Sequence, residues 1–219
     1  VATTYIFPII TAICCHENFW IFAVPMFCAW AAFFAIYMFT RKRPIKLTIK
    51  STFVIVASAW ISCSVFGAIP FLLSGYFHSI TDAFFESVSG FTTTGATILS
   101  DVECLPRSLN LWRCETHWLG GMGIVALTVA LFPLLGVGGF QLIKAETTGP
   151  EKGKVTPKIT TTAKILWLIY FSLTLALFVA LKICGMDVID ALSHAFSTLG
   201  SGGFSTRNAS IGGYNSVAI

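Results

Sequence analysis

Asp82-Ala83-Phe84-Phe85-Glu86-Ser87-Val88-Ser89-Gly90-Phe91-Thr92-Thr93-Thr94-Gly95-Ala96-Thr97 returns in outline 108 residues later as Asp190-Ala191-Leu192-Ser193-His194-Ala195-Phe196-Ser197-Thr198-Leu199-Gly200-Ser201-Gly202-Gly203-Phe204-Ser205. The superposition needs no gap: Lys50 falls on Lys158, Asp82 on Asp190, Ser89 on Ser197 and Gly95 on Gly203. Each copy runs in the same order, from a basic connection through an apolar span to Asp-Ala, a short amphipathic segment and a Gly/Thr/Ser-rich stretch. An internal repeat of this kind decides the architecture before any single element does.

The short segments, 81–91 and 189–199, are too short to cross a bilayer, which takes about 20 helical residues. Thr81-Asp82 and Asp190 are of the types that cap helix N-termini, and Ala83, Phe84 and Val88 are spaced for one helical face. Each segment reads as a helix dipping halfway into the membrane. A helix lying flat at the interface is the alternative for one isolated copy, and the repetition argues against it.

The stretches that follow do not suit a helix. Irregular backbone at membrane depth leaves carbonyls that cost several kcal/mol each, of order 2–7, when unpaired, so it survives only buried in protein or lining a watery path. A dehydrated K⁺ ion needs a ring of oxygens in place of its hydration shell, and main-chain carbonyls supply them without a fixed charge. Gly95 and Gly203 sit at matching places for the positive φ that aligned carbonyls require. The expected ion-binding residues are Thr93, Thr94, Gly95 and Ala96 in the first copy and Ser201, Gly202, Gly203 and Phe204 in the second. Thr92, Thr97, Gly200 and Ser205 are expected to support them. Taken singly, each stretch is ordinary turn material.

Composition agrees with a membrane setting. The 219 residues are 55% hydrophobic and 11% charged, against roughly one-quarter charged in soluble domains. Runs without Asp, Glu, Lys or Arg cover 1–16, 18–40, 51–81, 116–143 and 165–181, and the last four are long enough to span at about 1.5 Å rise per residue. The first run lacks a positive start and a cleavage site and reads as the tail of a truncated helix rather than a signal peptide. The other end stops at Gly212-Gly213-Tyr214, where the repeat calls for another span, so both ends read as cut.

Arg41, Lys42, Arg43, Lys46 and Lys50 crowd one connection, and Lys144, Lys152, Lys154 and Lys158 another. The positive-inside rule makes both cytoplasmic, and an even number of crossings separates them. Glu17, Asp82, Glu86, Asp101, Glu103, Glu115, Asp187 and Asp190 are then outward, against Arg107, Arg113, Lys182 and Arg207, giving an acidic outer face that concentrates cations. For any single residue a solvated loop is an equally good reading. The seven cysteines show no metal spacing; Cys104 and Cys114 share one expected outer loop and are candidates to pair if that face is oxidising.

At Asp82-Ala83-Phe84-Phe85-Glu86-Ser87, Thr92-Thr93-Thr94-Gly95-Ala96-Thr97, Trp118-Leu119-Gly120-Gly121-Met122-Gly123-Ile124, Lys144-Ala145-Glu146, Gly149-Pro150 and Ser197-Thr198 through Gly202-Gly203-Phe204-Ser205-Thr206, the chain resembles the Trk/Ktr/HKT superfamily of K⁺ transporters, most closely the TrkH/TrkG branch. The resemblance implies an all-α polytopic membrane protein of repeated units, each a transmembrane helix, a re-entrant pore helix and loop, and a second transmembrane helix, as in a K⁺-channel pore domain. Here the set is incomplete: 1–40 matches an N-terminal hairpin, 51–143 the first unit, and 158–219 the second as far as its loop. Four loops around one pore are implied, of which this chain holds two. K⁺ is the transported ion and no cofactor is implied; a homodimer and a cytoplasmic nucleotide-binding regulatory subunit, TrkA-like, are implied partners in a bacterial inner membrane. No nucleic-acid partner is expected. The Gly200-Ser201-Gly202-Gly203 stretch departs from the Thr-rich first copy, which bears on K⁺ over Na⁺ selectivity.

Gly120, Gly121 and Gly123 are expected to let a neighbouring helix approach closely behind the first loop, and Pro70 and Pro133 to kink or interrupt their runs. His16, His78, His117 and His194 share no spacing and read as interfacial. Glu86 is expected to hold its loop or stabilise a cation, a role not shared by the second copy, where position 194 is His. Two other functions are weighed: a non-conducting assembly subunit, and a membrane-embedded enzyme, which would need ionisable groups converging within the spans.

Overall fold

The computed structural model describes residues 1–41, 49–135, 155–214, 216 and 219, and among them the chain is helical with no strand. The order is α1 (Ile6–Cys14), α2 (Trp20–Thr40), α3 (Ile49–Ser74), α4 (Ile80–Phe91), α5 (Arg107–Leu135), α6 (Val155–Ile183) and α7 (Val188–Leu199), closed by a 3₁₀ turn at Ser210–Tyr214. Both basic connections lie largely outside the described residues, as do the Lys144-Ala145-Glu146 and Gly149-Pro150 motifs and the end of the run at 116–143.

Three described helices are long and apolar enough to cross a membrane: Trp20–Thr40, Phe53–Ser74 and Thr161–Ile183. Their large side chains face outward; Phe39, Ile61 and Leu168 are among many that are well exposed, as suits contact with lipid rather than water. Pro70 lies inside α3 without ending it. A proline lacks the N–H that the carbonyl four residues earlier needs. Tyr5 supplies the donor instead, its hydroxyl giving a hydrogen bond to the Phe66 carbonyl at 2.6 Å. That bond pins α1 to α3.

The core lies where α5 packs against α1, α3, α4, α6 and α7. One cluster gathers Tyr5, Phe22, Phe71, Phe91, Leu109 and Trp112; a second gathers Leu111, Cys114, Trp118, Phe196 and Phe204. α5 starts at Arg107, well before the charge-free run at 116–143. Its first turn is capped from another part of the chain: the Glu17 carboxylate accepts hydrogen bonds from the Arg107 N–H at 2.8 Å and the Ser108 N–H at 3.0 Å. A carboxylate there also complements the positive end of the helix dipole.

This early start corrects the expected outer loop. Arg113 and Glu115 are buried within α5, Glu86 in α4 and Asp190 in α7, so these four charges contribute nothing to an exposed acidic face. Cys114 is buried in α5 and Cys104 is exposed, and both are free thiols.

Candidate functional site

α4 and α7 are matched residue for residue across the repeat, each 12 residues long. At about 1.5 Å per residue that is about 18 Å, short of a hydrocarbon core of about 30 Å. The N-caps, Ser79 and Asp187, lie two to three residues earlier than expected. Ser79 Oγ accepts from the Asp82 N–H at 3.0 Å, and the Asp187 carboxylate accepts from the Ile189 N–H at 3.3 Å, satisfying donors the helix leaves open. Asp82 and Asp190 stand in the first turns.

Both helices end in the same motif. The Thr93 N–H donates to the Gly90 carbonyl and the Thr94 N–H to Ser89; 108 residues on, the Ser201 N–H donates to Thr198 and the Gly202 N–H to Ser197. This is the paired closure of a Schellman C-cap, which puts its pivot residue in the left-handed region. The pivots are Thr93 at φ 57° and Ser201 at φ 56°. Neither is the glycine usually found there. Gly95 also has positive φ, at 73°, whereas Gly203 does not, which corrects the expectation that the two glycines share that conformation.

Beyond the caps the chain is irregular through both stretches, and the two stretches meet. A Cβ built on Gly95 would lie 2.7 Å from the Gly203 nitrogen. Among the described residues no hydrogen-bond donor reaches the carbonyls of Thr93, Thr94, Gly95, Ser201, Gly202 or Gly203. The Ala96 carbonyl accepts from Ser89 Oγ at 2.6 Å, and the Phe204 carbonyl from Cys114 Sγ at 3.7 Å, so these two are held toward the protein by one of their two lone pairs. Outside the loops lies a cleft of ≈ 240 Å³ bordered by Gly95, Thr97, Arg113, Gly203, Ser205 and Asn208.

The supporting residues divide. Thr97 Oγ1 donates to the Glu86 carboxylate at 2.9 and 3.1 Å, and the Ile98 N–H does so at 3.2 Å. The counterpart pair in the second copy is His194 and Ser205, with Nε2 and Oγ 2.9 Å apart. His194 Nδ1 lies 2.8 Å from the Asp190 carbonyl, and because a carbonyl only accepts, Nδ1 carries the proton. Position 194 therefore does share the role of Glu86, a short helix gripping the residue after its loop, with imidazole in place of carboxylate. Thr92 Oγ1 instead bonds back to the Val88 carbonyl at 2.7 Å, and Gly200 is the α7 C-cap.

α5 forms the wall behind both loops. A Cβ on Gly120 would fall 2.0 Å from the Phe91 carbonyl, and one on Gly121 would fall 2.9 Å from the Gly200 Cα; Gly123 has only ordinary contact with Trp60. His117, expected at an interface, is instead fully buried. Its ring stacks on Phe204 with centroids 4.2 Å apart, and its Nδ1 is 3.1 Å from Ser197 Oγ. Arg113 is also buried, with Nε 2.8 Å from Glu86 Oε1. The aperiodic charges of 113–117 gave no sequence signal for this, because only a helix beginning at Arg107 turns them inward. Asn208, also unremarked in the sequence, ties the segments after the two loops: its Nδ2 donates to Asp101 at 2.8 Å and its Oδ1 accepts from the Val102 N–H at 2.9 Å.

Half-length helices carrying irregular loops, set among helices long and apolar enough to span, define an all-helical polytopic membrane protein of the pore-loop class. Residues 18–219 match the family model described as TrkH, cation transport protein, and the chain belongs to that family. It is 46% identical over 200 residues to the Trk system potassium uptake protein TrkH of Vibrio parahaemolyticus, covering 90% of this chain and 40% of that protein. It is 49% identical over 181 residues to TrkH of Escherichia coli K12, covering 82% and 38%. The crystal structure of the potassium transporter TrkH from Vibrio parahaemolyticus superposes with a TM-score of 0.84 at 37% identity, over 100% of this chain and 44% of that one. The chain thus spans about 40% of the length of the curated relatives it matches. These relatives are named as transporters and not as enzymes.

Proposed function

We propose that this chain contributes two of the four filter strands of a K⁺ uptake pore in a bacterial inner membrane. The observation that carries the reading is the meeting of the two irregular loops at Gly95 and Gly203, with six carbonyls that no described donor occupies. A K⁺ ion sheds its water against such oxygens, and the field of neutral dipoles binds it loosely enough to let it leave. Thr93, Thr94, Gly95, Ser201, Gly202 and Gly203 offer open carbonyls. Ala96 and Phe204 complete the strands while being held by α4 and α5. Residues 51–143 act as the first unit, 158–219 as the second up to its loop, and 1–40 as the accompanying hairpin.

The motif resemblance to the Trk/Ktr/HKT superfamily implies that the working protein is a homodimer regulated by a cytoplasmic nucleotide-binding subunit. Flow is passive and follows the electrochemical gradient. The test is K⁺ uptake by the full-length protein carrying Gly95→Ser or Gly203→Ser in cells starved of K⁺. For Gly95→Ser the expected outcome is inserted protein with lost uptake or weakened discrimination against Na⁺; Gly203→Ser, whose added Cβ would meet the first loop no closer than 3.8 Å, is expected to act less strongly. Undiminished growth on limiting K⁺ with both substitutions would overturn the assignment.

A further inference from the structure

Arg113 is 1% exposed, and its donors spread over both copies of the repeat. Nε reaches Glu86 Oε1 at 2.8 Å and Nη2 reaches Thr97 Oγ1 at 3.3 Å, both belonging to the first copy. Nη1 reaches the Ser205 carbonyl at 3.3 Å, on the second. It also reaches Asn110 Oδ1 at 2.9 Å, one turn back on its own helix. The flat face of the guanidinium lies 4.3 Å over the Phe204 ring, whose stacking partner is His117. One side chain from the first unit therefore touches the segment leaving each loop.

From this geometry we infer that Arg113 is a positioning residue that fixes the height of the second loop relative to the first, and so sets cation discrimination. The inference rests on the proposed filter. A planar guanidinium offers five N–H donors in a rigid fork, which lets it bond in divergent directions at once; an ammonium is a compact point charge on a flexible stem. Glu86 balances the charge, so the tie adds no net charge beside the ion path. Relative loop height decides the spacing of the carbonyls around an ion, and ions of different radius are separated by that spacing and by the dipole field it produces. Losing the tie relaxes discrimination before it stops flow.

The experiment uses the full-length protein in proteoliposomes, with K⁺ and Na⁺ fluxes measured side by side. Removing Arg113 alone strands a buried carboxylate, so the first variant replaces both partners, Glu86→Met with Arg113→Met. The K⁺/Na⁺ flux ratio is expected to fall on the order of tenfold, the change that losing one charge-assisted hydrogen bond brings, with Na⁺ flux retained. Arg113→Lys, which keeps the charge, is expected not to restore the ratio. Thr97→Val leaves the ion pair in place and removes only the hydroxyl at the end of the tie, so it reports even if the double variant does not fold, and its ratio is expected to fall as well. An unchanged ratio in Thr97→Val and in Arg113→Lys, while Gly95→Ser alters it, overturns the role of Arg113 and leaves the filter standing. A ratio indifferent to Gly95→Ser as well overturns both.

Discussion

Gly95 and Gly203 touch backbone to backbone but are not equivalent. A Cβ on Gly95 would fall 2.7 Å from the Gly203 nitrogen and 2.9 Å from its Cα, whereas a Cβ on Gly203 would have nothing of the first loop closer than 3.8 Å. Only Gly95 holds a positive φ. The internal repeat is therefore close in the helices and caps, and broken at the contact where the two copies meet.

That asymmetry predicts unequal damage. Gly95→Ala meets both a steric conflict with rigid backbone and a left-handed penalty of about 1–2 kcal/mol; Gly203→Ala meets neither. K⁺ uptake and thermal stability of the full-length protein are expected to drop well below wild type for Gly95→Ala and to change little for Gly203→Ala. Equal losses would show that the two strands are symmetric after all.

The left-handed pivots Thr93 and Ser201 carry strain that glycine would release. Thr93→Gly and Ser201→Gly are each expected to stabilise the fold by about 1 kcal/mol, less the extra freedom glycine has when unfolded. Calorimetric or fluorescence melting in detergent reads the gain. A lower melting temperature in both variants would contradict the cap geometry.

Tyr5 and Pro70 form a compensating pair. Tyr5→Phe leaves the Phe66 carbonyl without its donor and is expected to cost about 1–3 kcal/mol. With Pro70→Ala in place, residue 70 regains an N–H that can take over, and the cost of Tyr5→Phe is expected to shrink. A double-mutant cycle on thermal stability measures the difference, and additive effects would rule the compensation out.

Acid should loosen the contact between the segments that follow the two loops. The Asn208 side chain donating to Asp101, together with the Glu103 N–H, holds the Asp101 carboxyl below its ordinary value. A group depressed in the folded state stabilises above its unfolded pKa, and that stabilisation fades as pH falls through the folded pKa. Hydrogen exchange at Glu103, whose N–H donates to the Asp101 carboxylate, is expected to gain protection less steeply with pH in Asn208→Ala than in wild type across the acidic carboxylate range. Identical pH dependence would remove Asn208 from the linkage.

Much of the architecture was legible because its causes are local or periodic. The Asp-Ala start, the amphipathic spacing and the abrupt change to Gly, Thr and Ser marked α4 and α7, and their repetition 108 residues apart excluded a chance resemblance. Length against bilayer thickness made them half-helices. The irregular backbone that follows each of them was located by the same argument. Which residue would take the strained φ was missed, because a Schellman cap acts at the helix end, two positions before the glycine that drew attention.

What the amino-acid sequence determined by itself is the list of elements and their membrane setting, since apolar runs, short caps and a two-copy pattern are properties of neighbours along the chain. Only the tertiary structure decided where α5 begins, because its cap is Glu17, 90 residues away. From that start follow the inward turn of Arg113 and His117 and the burial of Glu115. Whether a charge is solvated or serves as a brace depends on what packs around it, and hydropathy along the chain carries no record of that packing.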